Sequence, residues 1–113
     1  ESNESIEPPK LEVVNDLQEC FYASQSKPRI NSVLLVGYEF KNITIEIDES
    51  MTFTLDDGFP AGLENVEITV QGIYGIQGFG EKIDVNFIEG KTTRIRLVKD
   101  DFCTYSGLKL VNG

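Results

Sequence analysis

The chain has no histidine and no tryptophan, and cysteine occurs only twice in 113 residues. Each of these shortages excludes chemistry. Without histidine there is no Ser-His-Asp or Cys-His nucleophile, and no imidazole to hold zinc. Without tryptophan, a sugar-stacking platform has to be built from tyrosine. An antibody-type sandwich also loses the residue that packs on its disulfide. No apolar run approaches the ~18 residues of a bilayer-spanning helix. Basic residues are few and scattered: ten Lys and Arg against nineteen Asp and Glu, a formal net charge of −9. Nucleic acid binding needs a basic patch to displace condensed counterions, so nucleic acid is not an expected partner. The same charge opposes docking on an anionic membrane and favours solubility.

Cys20 and Cys103 lie far apart in the sequence. A disulfide between them would close a loop of about 80 residues, worth on the order of 4 kcal/mol in a chain-entropy description. The competing reading is two buried small hydrophobes. Neither cysteine has a basic neighbour in sequence to lower its thiol pKa, so a nucleophilic role is not expected.

What the chain does have is alternation. Val66, Ile68 and Val70 alternate with Glu67, Thr69 and Gln71; Ile83, Val85 and Phe87 with Asp84 and Asn86; Ile95 and Leu97 with Arg94 and Arg96. A period of two sends one set of side chains inward and the other to water, as in half-buried strands. Residues 11–14, 43–47, 51–55 and 108–111 read as further strands, and residues 16–24 as a less regular one. Residues 30–40 read as a single strand with a bulge at Gly37. The segment 72–80, with four glycines, reads as a wide hairpin loop. Seven to nine short strands with turn residues between them predict an all-β, antiparallel two-sheet β-sandwich over residues 11–113. Residues 1–10 are polar, acidic and end near a Pro pair, which predicts a flexible N-terminal tether.

Phe53, Pro60-Ala61-Gly62, the alternating 66–70 strand, the Gly-aromatic turn 72–75, the 83–87 strand, Glu89-Gly90 and the Thr-rich strand 92–97 follow one another in order. This stretch resembles the prealbumin-like (carboxypeptidase-regulatory-like, transthyretin-like) β-sandwich family. It departs from the family pattern where Leu63-Glu64-Asn65 stands in place of the usual tyrosine. The resemblance implies an accessory, binding or spacer module rather than an enzyme. An immunoglobulin-like sandwich is the alternative, although the wide cysteine separation does not suit the antibody type.

Candidate sites are few. Asp48-Glu49, Asp56-Asp57 and Asp100-Asp101 could converge on a calcium ion. Asp is equally at home in turns, where its side chain bonds local N–H groups, and no metal is expected. The glycine-rich segment is not a phosphate loop: it lacks the G-x-G-x-x-G spacing and precedes no helix. Tyr74, Ile76 and Phe79 within it are the candidate binding residues, either offered to a partner or folded back over the core. Tyr22, Tyr38, Tyr74 and Tyr105 could stack on sugars. Asn3 and Asn42 head N-x-S/T glycosylation patterns.

The expectation is a non-enzymatic, extracytoplasmic module without cofactor, either secreted, periplasmic or anchored at a bacterial surface as a lipoprotein domain. It would be a monomer or weak oligomer that binds a protein partner or acts as a spacer. The alternative is a carbohydrate-binding module that takes a glycan.

Overall fold

Among the described residues the alternating segments become eight strands: β1 (Lys10–Asn15), β2 (Arg29–Leu35), β3 (Tyr38–Ile45), β4 (Ser50–Thr54), β5 (Val66–Tyr74), β6 (Gln77–Val85), β7 (Thr92–Val98) and β8 (Lys109–Asn112). The structure is a computed structural model that describes residues 8–17, 28–55, 64–88, 90–99 and 107–113. Among these residues there is no α-helix. The strands form two four-stranded sheets, in the orders β4-β1-β7-β8 and β3-β2-β5-β6. The chain is a two-sheet β-sandwich, as expected, with one departure from an all-antiparallel plan. β1 and β7 run parallel, with Lys10 opposite Thr92 and Asn15 opposite Leu97.

The inward set is the apolar set. Leu11 and Val13 of β1, Ile95 and Leu97 of β7, and Ile68 and Val70 of β5 are fully buried. Their alternates Glu12, Arg94 and Glu67 are partly or fully exposed. At one edge the sheets are clamped by rings. Phe40 of β3 stacks on Phe53 of β4 at 4.4 Å between centroids, and Tyr38 stacks behind Phe40 at 5.9 Å. At the other edge β6 packs beside β8, and Phe79, Leu108 and Leu110 belong to the core there.

A buried polar residue joins the sheets. Asn15, at the end of β1 and fully buried, donates through Nδ2 to the carbonyls of Ile45 (3.0 Å) and Pro28 (3.2 Å). Its backbone is also held, with its N–H donating to Glu49 and its carbonyl accepting from Asp48. Just beyond, the Asp16 N–H bonds the Leu97 carbonyl and its carboxylate meets the Arg96 guanidinium at 2.6 Å.

Several local expectations are corrected. Residues 30–40 are not one strand: Leu35 pairs with Tyr38 across a two-residue turn in which Gly37 takes φ 81°. Asn42, between the segments 30–40 and 43–47 read as separate strands, lies within β3, where φ 60° and a break in the β2–β3 register mark a bulge. Lys10, assigned to the tether, opens β1, and Pro9 is buried with its carbonyl accepting from Leu55 N–H. Residues 1–7 lie outside the described residues. Asp16 and Leu17 are not in a strand, and residues 18–24 lie outside the described residues.

The largest correction concerns residues 72–80. They are not a wide loop. β5 and β6 pair without a break from Val66–Val85 to Tyr74–Gln77, and only Gly75 and Ile76 form the turn. Gly75 at the first central position has φ 69°, and Ile76 is not in the positive-φ region, the pattern of a type II′ hairpin. Gly72 is a strand residue directly opposite Phe79. A Cβ there would stand 2.6 Å from Phe79 Cζ and 2.1 Å from the carbonyl oxygen of Arg29. Glycine is required at this position for close approach, so that the phenyl ring can lie across the bare backbone.

Candidate functional site: the distal hairpin tip

The register gives the sandwich two distinguishable ends. Lys10 is level with Thr92, Glu12 is level with Arg94, and the N–H of Gly113 donates to the Arg94 carbonyl. Both ends of the described fold therefore lie at one end of the sandwich. Two strand spacings, or about 10 Å, separate them laterally. Asn15 marks the opposite end. It reaches Pro28 and Ile45, where β2 begins, and there Arg29 pairs with Ile73 near the close of β5. The Gly75-Ile76 turn is thus the distal tip.

The three residues singled out in this segment part ways. Phe79 is buried, at 7% exposure, because its position opposite Gly72 points it inward. Tyr74 is half-buried and packs against the core. Ile76 is fully exposed, at 102%. The turn needs glycine at its first central position and makes no demand for a β-branched apolar side chain at its second. Folding gives no reason for isoleucine there. The other exposed large hydrophobics among the described residues, Val36 and Ile88, sit at the end near Gly113: one in the β2–β3 turn, one just after β6.

Among the described residues the tyrosines do not form a platform. Tyr38 and Tyr74 lie at opposite ends of their sheet, about six residues apart along it, or ~20 Å. Tyr22 and Tyr105 lie outside the described residues, as do Cys20 and Cys103. An open concavity of about 340 Å³ beside the β2–β3 turn is bordered by Leu34, Val36, Tyr38 and Thr69, with Glu39 and Glu67 at its rim. Glu39 is engaged by Lys41 at 3.0 Å.

The acidic Asp48-Glu49 turn carries local structure. Asp48 sits at φ 68°, and the Glu49 carboxylate accepts from the Glu46 N–H at 3.0 Å, closing the β3–β4 turn. Among the described residues no three acidic, histidine or cysteine side chains gather in a way that could hold a metal ion. Asp56, Asp57, Asp100 and Asp101 lie outside them.

One titratable group stands out, and it was not a sequence candidate. Glu81 faces the core side of β6, opposite Val70, and burial raises its carboxyl pKa. A raised folded-state pKa means that the folded protein holds this proton more tightly than the unfolded chain. Its contribution is most favourable below the ordinary carboxylate range and is lost as pH rises through the raised value. Extending the period of two backwards from Ile83 would have found it.

Comparison with known proteins supports the architecture. No protein-family model matches the chain, and no curated protein does. A solved structure does: the NMR structure of a protein from Eubacterium rectale is similar over 99% of this chain and 94% of that one, with a TM-score of 0.58 at 16% identity. At that identity the likeness shows the fold alone, a two-sheet β-sandwich.

Proposed function

We propose that this domain is a non-enzymatic binding module of the prealbumin-like type, working outside the cytoplasm, that meets a protein partner through its distal hairpin tip. The observation that carries the reading is the full exposure of Ile76 at the end of the sandwich farthest from Lys10 and Gly113. An apolar side chain with no folding role, held on a rigid two-residue turn, suits an anchor for a partner's pocket. A spacer threaded end to end would have its two ends at opposite poles. Here they lie at the same pole, which favours a module presented at its tip. The separation of Tyr38 from Tyr74 favours a protein partner over a glycan.

Strand order supports the prealbumin-like assignment over the immunoglobulin-like one. The constant-type immunoglobulin arrangement keeps the first, second, fourth and fifth strands together. In this chain the second and fifth strands lie in one sheet, the first and fourth in the other. The stretch that carries the family resemblance runs through β4, β5, β6 and β7 in sequence.

Two measurements test these readings. Ile76→Ser is expected to leave the melting temperature unchanged, within the ±0.5 kcal/mol typical of exposed sites. It should also abolish capture of cell-surface proteins that the wild type retains, whereas Ile88→Ser should not. Equal capture by all three would remove the tip from the proposal. Non-reducing peptide mapping of protein from an oxidising compartment is expected to yield one linked species containing Cys20 and Cys103. Two free thiols there would remove the support that a disulfide lends to an extracytoplasmic location.

A further inference from the structure

At the end of the sandwich opposite Ile76, β5 outruns its neighbour β2. The two pair as far as Leu34–Thr69, while β5 continues beside β6 to the Val66–Val85 pair. Beyond Leu34 the chain enters the Val36-Gly37 turn, and the concavity of about 340 Å³ opens between that turn and Glu67. Pockets for whole small molecules run from roughly 300 to 1,000 Å³. A space at the bottom of that range suits one or two side chains of a larger partner.

Two features of this space are not explained by folding. The first is Val36, 74% exposed in a turn whose backbone makes its special demand at Gly37, not at the residue before it. Beside it, Leu34 is half-buried on the outer face of the sheet, between Glu39 of β3 and Thr69 of β5. The second is the charge on the far rim. Glu67 directly faces Asp84 of β6, and both are exposed. Like charges set opposite one another weaken a strand pair. Among the described residues neither carboxylate has an ion-pair partner; Lys82, opposite Thr69 on the same face, engages neither. On the near rim Glu39 is held by Lys41, but the two side chains are 62% and 64% exposed, so that pair is weak.

We propose that this concavity is a second docking site, separate from the Ile76 tip, and that it takes a basic side chain of a partner protein, lysine or arginine, next to an apolar residue. Charge complementarity selects the occupant. A lysine or arginine has an apolar stem and a cationic head, and such side chains lay the stem on apolar surface while the head stays wet. Here the stem covers Leu34, the neighbouring apolar residue covers Val36, and the head meets Glu67 and relieves its repulsion with Asp84. An acidic segment would add to that repulsion, and a wholly apolar one would leave it in place. The chain's net charge of −9 draws cationic segments from a distance. A bare metal ion is not the occupant, because no three acidic side chains among the described residues gather to hold one.

The test is an amide-shift NMR titration of the full chain at neutral pH and low salt, with the blocked peptide Leu-Lys-Leu-Lys as probe. The blocked peptides Leu-Glu-Leu-Glu and Gly-Lys-Gly-Lys are the comparisons. The first peptide is expected to give saturable shifts centred on Leu34, Val36, Glu67 and Thr69, with a dissociation constant on the order of 1 mM. Added salt should weaken it, since the site is exposed. Glu67→Gln and Val36→Ser should each weaken it about threefold. Glu46→Gln removes the same charge from an exposed position beyond the far end of β3 and should leave binding unchanged. Glu67→Gln is also expected to melt no lower than wild type, because it removes a repulsion. Any of four results overturns the proposal: no saturable shift at these residues up to about 10 mM peptide, equal binding by either comparison peptide, equal weakening by Glu46→Gln, or a lower melting temperature for Glu67→Gln, which would give that carboxylate a folding role instead.

Discussion

Gly72→Ala is expected to destabilise the domain by about 3 kcal/mol, the upper part of the range for forcing atoms into a packed core. The substitution adds one methyl group to a strand whose neighbours on both sides sit unusually close. The ideal Cβ lies 2.6 Å from Phe79 Cζ and 2.1 Å from the Arg29 carbonyl oxygen. These two contacts respond differently. The phenyl ring can tilt. The carbonyl belongs to Arg29 of β2, just before the bulge that separates the Ile30–Gly72 pair from the Ser32–Gln71 pair, and it can retreat only if the sheet opens. Urea unfolding followed by circular dichroism measures the loss. Adding Phe79→Leu is expected to recover only the part owed to the ring, so Gly72→Ala/Phe79→Leu stays well below Phe79→Leu alone. A Gly72→Ala variant within about 0.5 kcal/mol of wild type would show that the sheet yields freely at this point.

Gly72 also illustrates what the sequence could and could not disclose. The alternation of Val66, Ile68 and Val70 located β5 and its buried face, because period two follows from strand geometry and needs no knowledge of the partner strand. Glycine is ambiguous in a way that valine is not. It marks a turn, a bulge or a close approach, and only tertiary structure says which. Gly75 is the turn and Gly72 the close approach, while Gly78 and Gly80 are exposed strand positions where an added Cβ would come no nearer than 3.8 Å to its described neighbours. Four glycines in nine residues therefore resembled a loop although only one closes the hairpin. The β2–β3 turn was hidden for the opposite reason. Val33 to Val36 is one apolar run, and the chain reverses at its last residue, leaving Val36 74% exposed.

The candidate site was legible in part. Tyr74, Ile76 and Phe79 were picked out by type, but their separate fates depend on register. With Gly72 opposite Phe79 and Tyr74 opposite Gln77, the strand period turns Phe79 inward and the turn leaves Ile76 outside. Glu81 was missed because the strand was begun at Ile83, six residues after the actual start of β6. Asn15 could not have been found at all. Its partners are main-chain carbonyls 13 and 30 residues away, and a backbone acceptor leaves no mark in side-chain sequence.

Asn15→Asp is expected to be the most damaging conservative change in the chain, at about 3–5 kcal/mol at neutral pH, the cost of a buried charge without a partner. The two side chains have nearly the same shape, so packing is preserved and only the chemistry changes. Asn15 Nδ2 supplies both bonds that tie the end of β1 to the opposite sheet, one to Ile45 and one to Pro28. Its Oδ1 is buried without a hydrogen-bond partner among the described residues. A carboxylate would replace the double donor with a second acceptor, facing two carbonyl oxygens while its other oxygen remains unpaired. Protonation relieves part of this, since a carboxylic acid can donate to one of the two carbonyls. The folded-state pKa of the introduced group is therefore raised above the ~3.9 of an unfolded aspartate. The sign follows: between these two values the folded state holds a proton that the unfolded state has lost, so the variant weakens as pH rises. The deficit relative to wild type should be smallest near pH ~4, grow with pH, and level off above the raised pKa. Asn15→Leu separates the two causes. It leaves the same carbonyls without a donor but adds no charge, so its deficit should be about 1–3 kcal/mol and independent of pH over that range. Unfolding free energies of both variants across the range provide the measurement. A flat profile for Asn15→Asp would mean that the new carboxylate reaches water, and that the sheets part at this end of the sandwich more readily than Asn15's burial implies.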